Sequence, residues 1–191
     1  MIKREIGRFF VGLYFFRKVI ELEKGYIQVY TGNGKGKTTA AIGLCMRAFG
    51  AGLKISFIQF VKGRYTSEMK AFEELKIEFF QGGLPEFIIG KPEKKDIDAA
   101  LKTLNLAREK VSSGKYDIVI LDELNVAVYL GLISEKDVID LLNSKSQNTE
   151  VVLTGRYATQ KIMDMADLVT EMHEVKHYYT KGVEQRTGIE V

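Results

Sequence analysis

Cysteine is nearly absent from this 191-residue chain: the single one, Cys45, excludes an internal disulfide and any zinc cluster built on cysteines. Proline is almost as scarce, at two residues, and no repeat, low-complexity tract or linker divides the chain. Long apolar runs are missing too. The best candidate, Phe9 to Phe16, is far too short to span a bilayer, and Arg17-Lys18 interrupt it. No small-residue cleavage pattern follows it, which argues against a secretory signal. Strong charge of either sign is also lacking. Against 28 Lys and Arg stand 25 Asp and Glu, a net charge of +3. That balance suits a protein that handles phosphates, but it is too small and too dispersed for a nucleic-acid surface. With 46% hydrophobic and 28% charged residues, the composition is that of a soluble globular protein of one-domain length. Cytoplasmic residence, with no membrane or nucleic-acid partner, is the expectation.

What is present centres on residues 26–42. A β-type run from Tyr26 to Tyr30 stops at Thr31, Gly32, Asn33, Gly34, Lys35, Gly36, Lys37, Thr38 and Thr39, and an alanine-rich stretch that reads as helix follows. Strand, glycine loop and helix in that order make a phosphate-cradling P-loop. Its glycines let backbone N–H groups turn toward one anion. Lys37 reaches phosphate oxygens, and the Thr38 hydroxyl is placed to ligate an accompanying Mg²⁺. The usual first glycine is replaced by Thr31.

Two further runs end in chemistry. Lys115 to Glu123 is a β-branched apolar strand that finishes on Asp122 and Glu123, as a buried parallel strand does when it delivers carboxylates to a metal-linked phosphate site. Glu150 to Arg156 is a strand ending in Thr154-Gly155-Arg156, where glycine allows close backbone approach to phosphate and Arg156 offers a charged donor fork. Between these lie an alternating strand over Lys54 to Val61, a short helix from Glu68 to Leu75, and a strand over Ile77 to Phe80. An irregular loop from Gln81 to Glu93 and an amphipathic helix from Asp96 to Ser112 come next, the helix with Ile97, Ala100, Leu101, Leu104, Ala107 and Val111 on one face. Ser134 with Asp137 starts another helix, and Asp164 to Thr170 gives a helix end and a further strand. Cys45 falls within the helix after the P-loop and reads as a small core residue.

These elements predict an α/β fold: a P-loop NTPase (RecA-like) domain over residues 25–191, with a mainly parallel central sheet flanked by helices. Residues 1–24 form an N-terminal helical arm in this reading, because Ile2, Ile6, Phe9, Phe10, Leu13, Phe16, Val19 and Ile20 recur at helical spacing. All three signals should meet at one sheet edge.

From Lys24 onward the chain resembles the ATP:corrinoid adenosyltransferases. The resemblance rests on Tyr30 to Ala41 with its Thr31 variant, Gln59-Phe60-Val61-Lys62-Gly63, Val119 to Leu124, Val151 to Arg156, Met165 to Glu171, and Val175-Lys176-His177 with the glycine-bearing segments after it. It implies transfer of the adenosyl group of ATP to the Co(I) of a reduced corrinoid such as cobalamin, with triphosphate expelled. It also implies ATP held in the reverse sense along the P-loop, so that C5′ of the ribose, not phosphorus, meets the nucleophile. Lys37, Thr38 and Glu123 would carry the chemistry, with Mg²⁺ on Thr38 and Glu123 and support from Asp122. Lys35, Arg47 and Arg156 would reach the nucleotide, and Phe87 would lie beside the corrin ring, while Ile89 departs from an aromatic often found there. The resemblance further implies a reductase that supplies the electron, and a homodimer. The P-loop alone also fits a RecA-like ATPase or motor module acting on a nucleic-acid or protein partner, or a carrier without turnover.

Overall fold

The computed structural model describes residues 22–86, 88 and 90–191. The proposed arm therefore lies almost entirely outside the described residues, as do Phe87 and Ile89. Six strands alternate with helices: β1 (Ile27–Thr31), α1 (Lys37–Ala51), β2 (Ile55–Gln59), α2 (Ser67–Leu75), β3 (Glu78–Gln81), α3 (Lys94–Ser112), β4 (Ile118–Asp122), α4 (Leu124–Tyr129), α5 (Glu135–Asn143), β5 (Glu150–Thr154), α6 (Gln160–Met165) and β6 (Leu168–Glu171). A short 3₁₀ turn, Tyr178–Lys181, follows. The strands form one sheet in the order β3-β2-β4-β5-β1-β6, and every neighbouring pair is parallel. The expected α/β class holds, with a sheet that is parallel throughout.

Local chemistry sets the element ends. Gly52 terminates α1 in the left-handed conformation at φ 88°, which glycine enters without steric cost. Ser134 caps α5 by accepting the Asp137 N–H, so the expected serine start is the observed one.

The sheet is covered on both faces. Ala41, Cys45 and Ala48 of α1 and Phe72 of α2 pack with Phe57, Ile118, Ile120 and Val152 on one side. Phe57, Phe72 and Phe79 add a ring cluster with centroids 5.1 to 5.8 Å apart. On the other side, Ala100, Leu104, Ala107 and Val111 of α3 join Leu124 of α4, Val138 and Leu141 of α5 and Ile162 of α6 against Ile58, Val119, Leu121, Val151 and Leu153. Two expectations change here. β2 is buried at every position and is not half-exposed in alternation, because it lies inside a sheet with helices on both faces. Leu101, expected on the buried face of α3, is 39% exposed, while Thr103 is buried and returns its hydroxyl to the Ala99 carbonyl at 2.8 Å.

Register places the functional strand ends side by side. Gln59 at the end of β2 is opposite Asp122 at the end of β4, and Leu121 is opposite Leu153, one residue before Thr154. Tyr30 of β1 is opposite Thr154. The C-terminal ends of four neighbouring strands thus frame one edge, where ligands of open parallel sheets bind.

Candidate functional site

The glycine loop is built by packing as much as by phosphate geometry. Thr31 continues β1: its carbonyl accepts the Met172 N–H at 2.9 Å, and its buried hydroxyl accepts the Ala158 N–H at 3.3 Å. The threonine in place of glycine thus ties the segment after β5 to the P-loop strand. Gly32 has φ 92°, and a Cβ there would lie 2.4 Å from the Met172 carbonyl oxygen. Gly34 donates its N–H to that same oxygen at 2.6 Å, so this amide is turned toward the chain after β6 and not toward an anion, contrary to the expectation. Lys37 also differs from a loose surface lysine. It is 8% exposed, and its ammonium donates to the Gly32 and Gly34 carbonyls at 2.8 and 2.7 Å. Burial lowers its pKa, against the opposing pull of Glu123.

One carboxylate joins the three sequence signals. Asp122 is wholly buried at the end of β4. Its Oδ1 accepts from the Thr38 hydroxyl of α1 at 2.8 Å and from the Thr154 hydroxyl of β5 at 2.7 Å. Its Oδ2 accepts from the Gln59 amide of β2 at 2.7 Å. Gln59 is held in turn by Gln81 of β3, whose amide donates to Gln59 Oε1 at 2.8 Å. Four strand or helix ends therefore meet on Asp122, and a carboxylate that accepts three hydrogen bonds is a strong node. Because Thr38 gives its only proton to Asp122, its oxygen lone pairs are left for a cation.

Glu123 follows at φ 60°, a left-handed conformation uncommon for a side-chain-bearing residue, and Thr154 Oγ1 accepts its N–H at 3.0 Å. That turn brings Glu123 into the cleft lining beside Thr38. Burial, and then the neighbouring Asp122, push its carboxyl pKa above the ordinary glutamate value. Hard oxygens from Thr38 and Glu123, backed by Asp122, match the donors that Mg²⁺ prefers. Among the described residues no group of three or more His, Cys, Asp and Glu forms a larger metal cluster.

The cleft above this edge has a volume of about 830 Å³ and is lined by Gly34, Lys35, Gly36, Lys37, Thr38, Thr39, Lys62, Glu123 and Arg156. Its far wall is the C-terminal segment, including His177, Tyr178, Glu190 and Val191. Lys35 donates to the Ile189 carbonyl at 3.0 Å and pairs with Glu190 at 3.4 Å. His177 accepts the Tyr179 N–H at 3.0 Å, capping the 3₁₀ turn.

The structure thus gathers Gly34, Lys35, Gly36, Lys37, Thr38, Thr39, Glu123 and Arg156 around one cleft, with Asp122 beneath it. Gly32 and Asn33 shape the loop without lining the cleft. Arg47 stands apart. It is exposed, ten residues beyond Lys37 on α1, or about 15 Å along the helix axis. Gly155, expected to approach phosphate, instead has φ 128° with an added Cβ only 3.0 Å from Val126 N, so it lets β5 pass close to α4. Gln59, Lys62 and Thr154 stood in quoted motifs without a role of their own, and Glu190 was not singled out from sequence. The one available signal was a polar residue, Gln59 or Thr154, at the end of an otherwise apolar buried strand.

The chain is similar to several known proteins. The chain is 34% identical over 169 residues to the corrinoid adenosyltransferase of Escherichia coli K12, covering 88% of this chain and 86% of that protein. It is 34% identical to corrinoid adenosyltransferase CobA of Salmonella typhimurium LT2 with the same coverage. Against the corrinoid adenosyltransferase of a Sinorhizobium species it is 35% identical over 173 residues, with 88% and 81% covered. Residues 23–191 match the sequence model for ATP:corrinoid adenosyltransferase BtuR/CobO/CobP, and the chain belongs to that family.

Proposed function

We propose that the protein transfers the 5′-deoxyadenosyl group of ATP to the cobalt of a reduced corrinoid. The Co(I) electron pair attacks C5′ of the ribose and forms the Co–C bond, while the C5′–O bond breaks and its electrons leave on triphosphate. Cobalt ends formally as Co(III). No proton has to be removed from the nucleophile, so the site needs no general base. Its task is to hold and neutralise the leaving triphosphate.

The observation that carries this reading, beside the family, is the Asp122 node, which locks Thr38 of the P-loop to the ends of β4 and β5 at 2.8 and 2.7 Å. Preorganised in this way, Thr38 and Glu123 would hold a divalent cation. Bound there, Mg²⁺ would supply Lewis-acid neutralisation of phosphate oxygens. Lys37 moves from its loop carbonyls to the phosphates, Lys35 exchanges Glu190 for them, and Arg156 contributes a planar fork from the segment after β5. Lys37, Thr38 and Glu123 are the residues on which turnover depends most. A reductase that delivers the electron, and a homodimer, are parts of the same proposal.

The test is to incubate the protein with ATP, Mg²⁺ and chemically reduced cobalamin, then follow the visible spectrum and the phosphate product. An adenosyl-cobalt spectrum with stoichiometric triphosphate is expected. Orthophosphate release that ignores corrinoid and responds to nucleic acid would overturn the proposal in favour of a motor-type ATPase.

A further inference from the structure

Lys62 has no role in the reading so far, yet it sits among the acids of the cleft. Its ammonium lies 3.6 Å from Asp122 Oδ2 and 3.9 Å from Glu123 Oε1, and it lines the cleft with Thr38 and Lys37. Its side chain is 38% exposed, whereas the two acids are 0% and 20% exposed. The ammonium is therefore the more exposed partner of one buried and one half-buried carboxylate.

The backbone that carries it is fixed. A Cβ on Gly63 would fall 2.2 Å from the Leu84 carbonyl carbon, and one on Gly83 would fall 2.6 Å from the Lys62 carbonyl. The two strand-end loops cross in direct backbone contact. Gln81 donates to the Arg64 carbonyl at 2.9 Å, and the Gly82 N–H donates to Gln59 at 2.8 Å. A clamped backbone bearing a flexible four-carbon stem can move a charge over a few ångströms without moving the loop.

We propose that Lys62 is an exchangeable counter-ion: it neutralises Asp122 and Glu123 in the metal-free cleft, then passes to the triphosphate when a divalent cation takes its place on the acids. This rests on the reading that Thr38 and Glu123 hold that cation. A buried acid beside a half-buried one is costly without a cation, and a lysine in the cleft offsets that cost before the ligand arrives. Once the cation is seated, the same ammonium is repelled by it and faces a polyanion. Lys62 thereby adds positive charge to the leaving group beside that of Lys37.

The proposal makes two effects of opposite sign. In Lys62→Met, Mn²⁺ alone, measured by paramagnetic resonance on the phosphate-free protein, should bind about fivefold more tightly, the order a partly solvated ion pair contributes. Inorganic triphosphate titrated calorimetrically in saturating Mg²⁺ should bind about tenfold more weakly, as expected for loss of one charge-assisted contact. Lys62→Arg should keep triphosphate binding within about threefold of the wild type, since it keeps the charge. If Lys62→Met does not fold, Lys62→Gln carries the same comparison. Both affinities falling together, or neither changing, would overturn the exchange. Failure of the wild-type protein to bind Mn²⁺ and triphosphate at all would instead overturn the cation site on which it rests.

Discussion

Replacing Thr154 by valine probes the node that joins the three strand ends. Valine matches threonine in shape, so no cavity opens, but both polar roles of Oγ1 disappear. The first is the 2.7 Å hydrogen bond donated to Asp122 Oδ1, and the second is the 3.0 Å bond accepted from the Glu123 N–H. Thr154 and Asp122 are 0% exposed, so water cannot replace either bond. A hydrogen bond to a buried charge contributes about 1.5 to 3 kcal/mol, and an orphaned buried N–H costs about 1 to 3 kcal/mol. Valine recovers roughly 1 kcal/mol of that as extra apolar burial. The net expectation is a loss of about 1.5 to 5 kcal/mol. Urea unfolding followed by circular dichroism should show a lower midpoint with an unchanged slope, which marks a stability change without a change in compactness. Combined with Thr38→Val, the loss should fall short of or exceed the sum of the singles by more than about 0.5 kcal/mol, because both hydroxyls serve one carboxylate oxygen. A single-mutant loss below about 0.5 kcal/mol would refute the claim that Asp122 organises this edge.

Three further outcomes follow, one from the glycine loop and two from the core beneath α1. Lys37→Ala should abolish turnover in the cobalamin assay and also lower stability by about 1 kcal/mol in urea unfolding, since Lys37 bridges the Gly32 and Gly34 carbonyls. Full activity in the variant would exclude it from the chemistry. Cys45 is fully buried, and burial pushes its thiol pKa from 9.0 up to about 11. Native protein at pH 8 should therefore resist iodoacetamide by more than about a hundredfold relative to urea-unfolded protein, because only the thiolate reacts. Between pH 9 and 11 the unfolded thiol ionises while the buried one stays protonated, so this group makes stability fall as pH rises through that window, as unfolding curves against pH would register.

Much of the site was legible because its signals are local. Lys37 and Thr38 open a helix after a strand, Asp122 and Glu123 close an apolar β-branched run, and Arg156 follows another. Each is a pattern within about ten residues, set by backbone propensity and hydrophobic period. What the glycines do was less legible. Gly32 and Gly34 fit a phosphate cradle in the sequence, yet close contact with the Met172 carbonyl requires them as well. The burial of Lys37 was not legible, because nothing in the sequence shows that its own loop turns two carbonyls toward it.

By itself the sequence determined the order of strands and helices, the all-round burial of the Ile118–Asp122 strand, and the residue types that each strand delivers at its C-terminal end. Only the tertiary structure decided which ends are neighbours. Parallel strands are joined by crossovers that skip positions, so the order β3-β2-β4-β5-β1-β6 is not written in any local pattern. It is this order, with Gln59 in register with Asp122, that lets a threonine 84 residues away in sequence share one carboxylate oxygen with Thr154. Hydrogen bonds of that kind depend on separations of a few tenths of an ångström, which packing of the whole sheet sets and no single segment encodes.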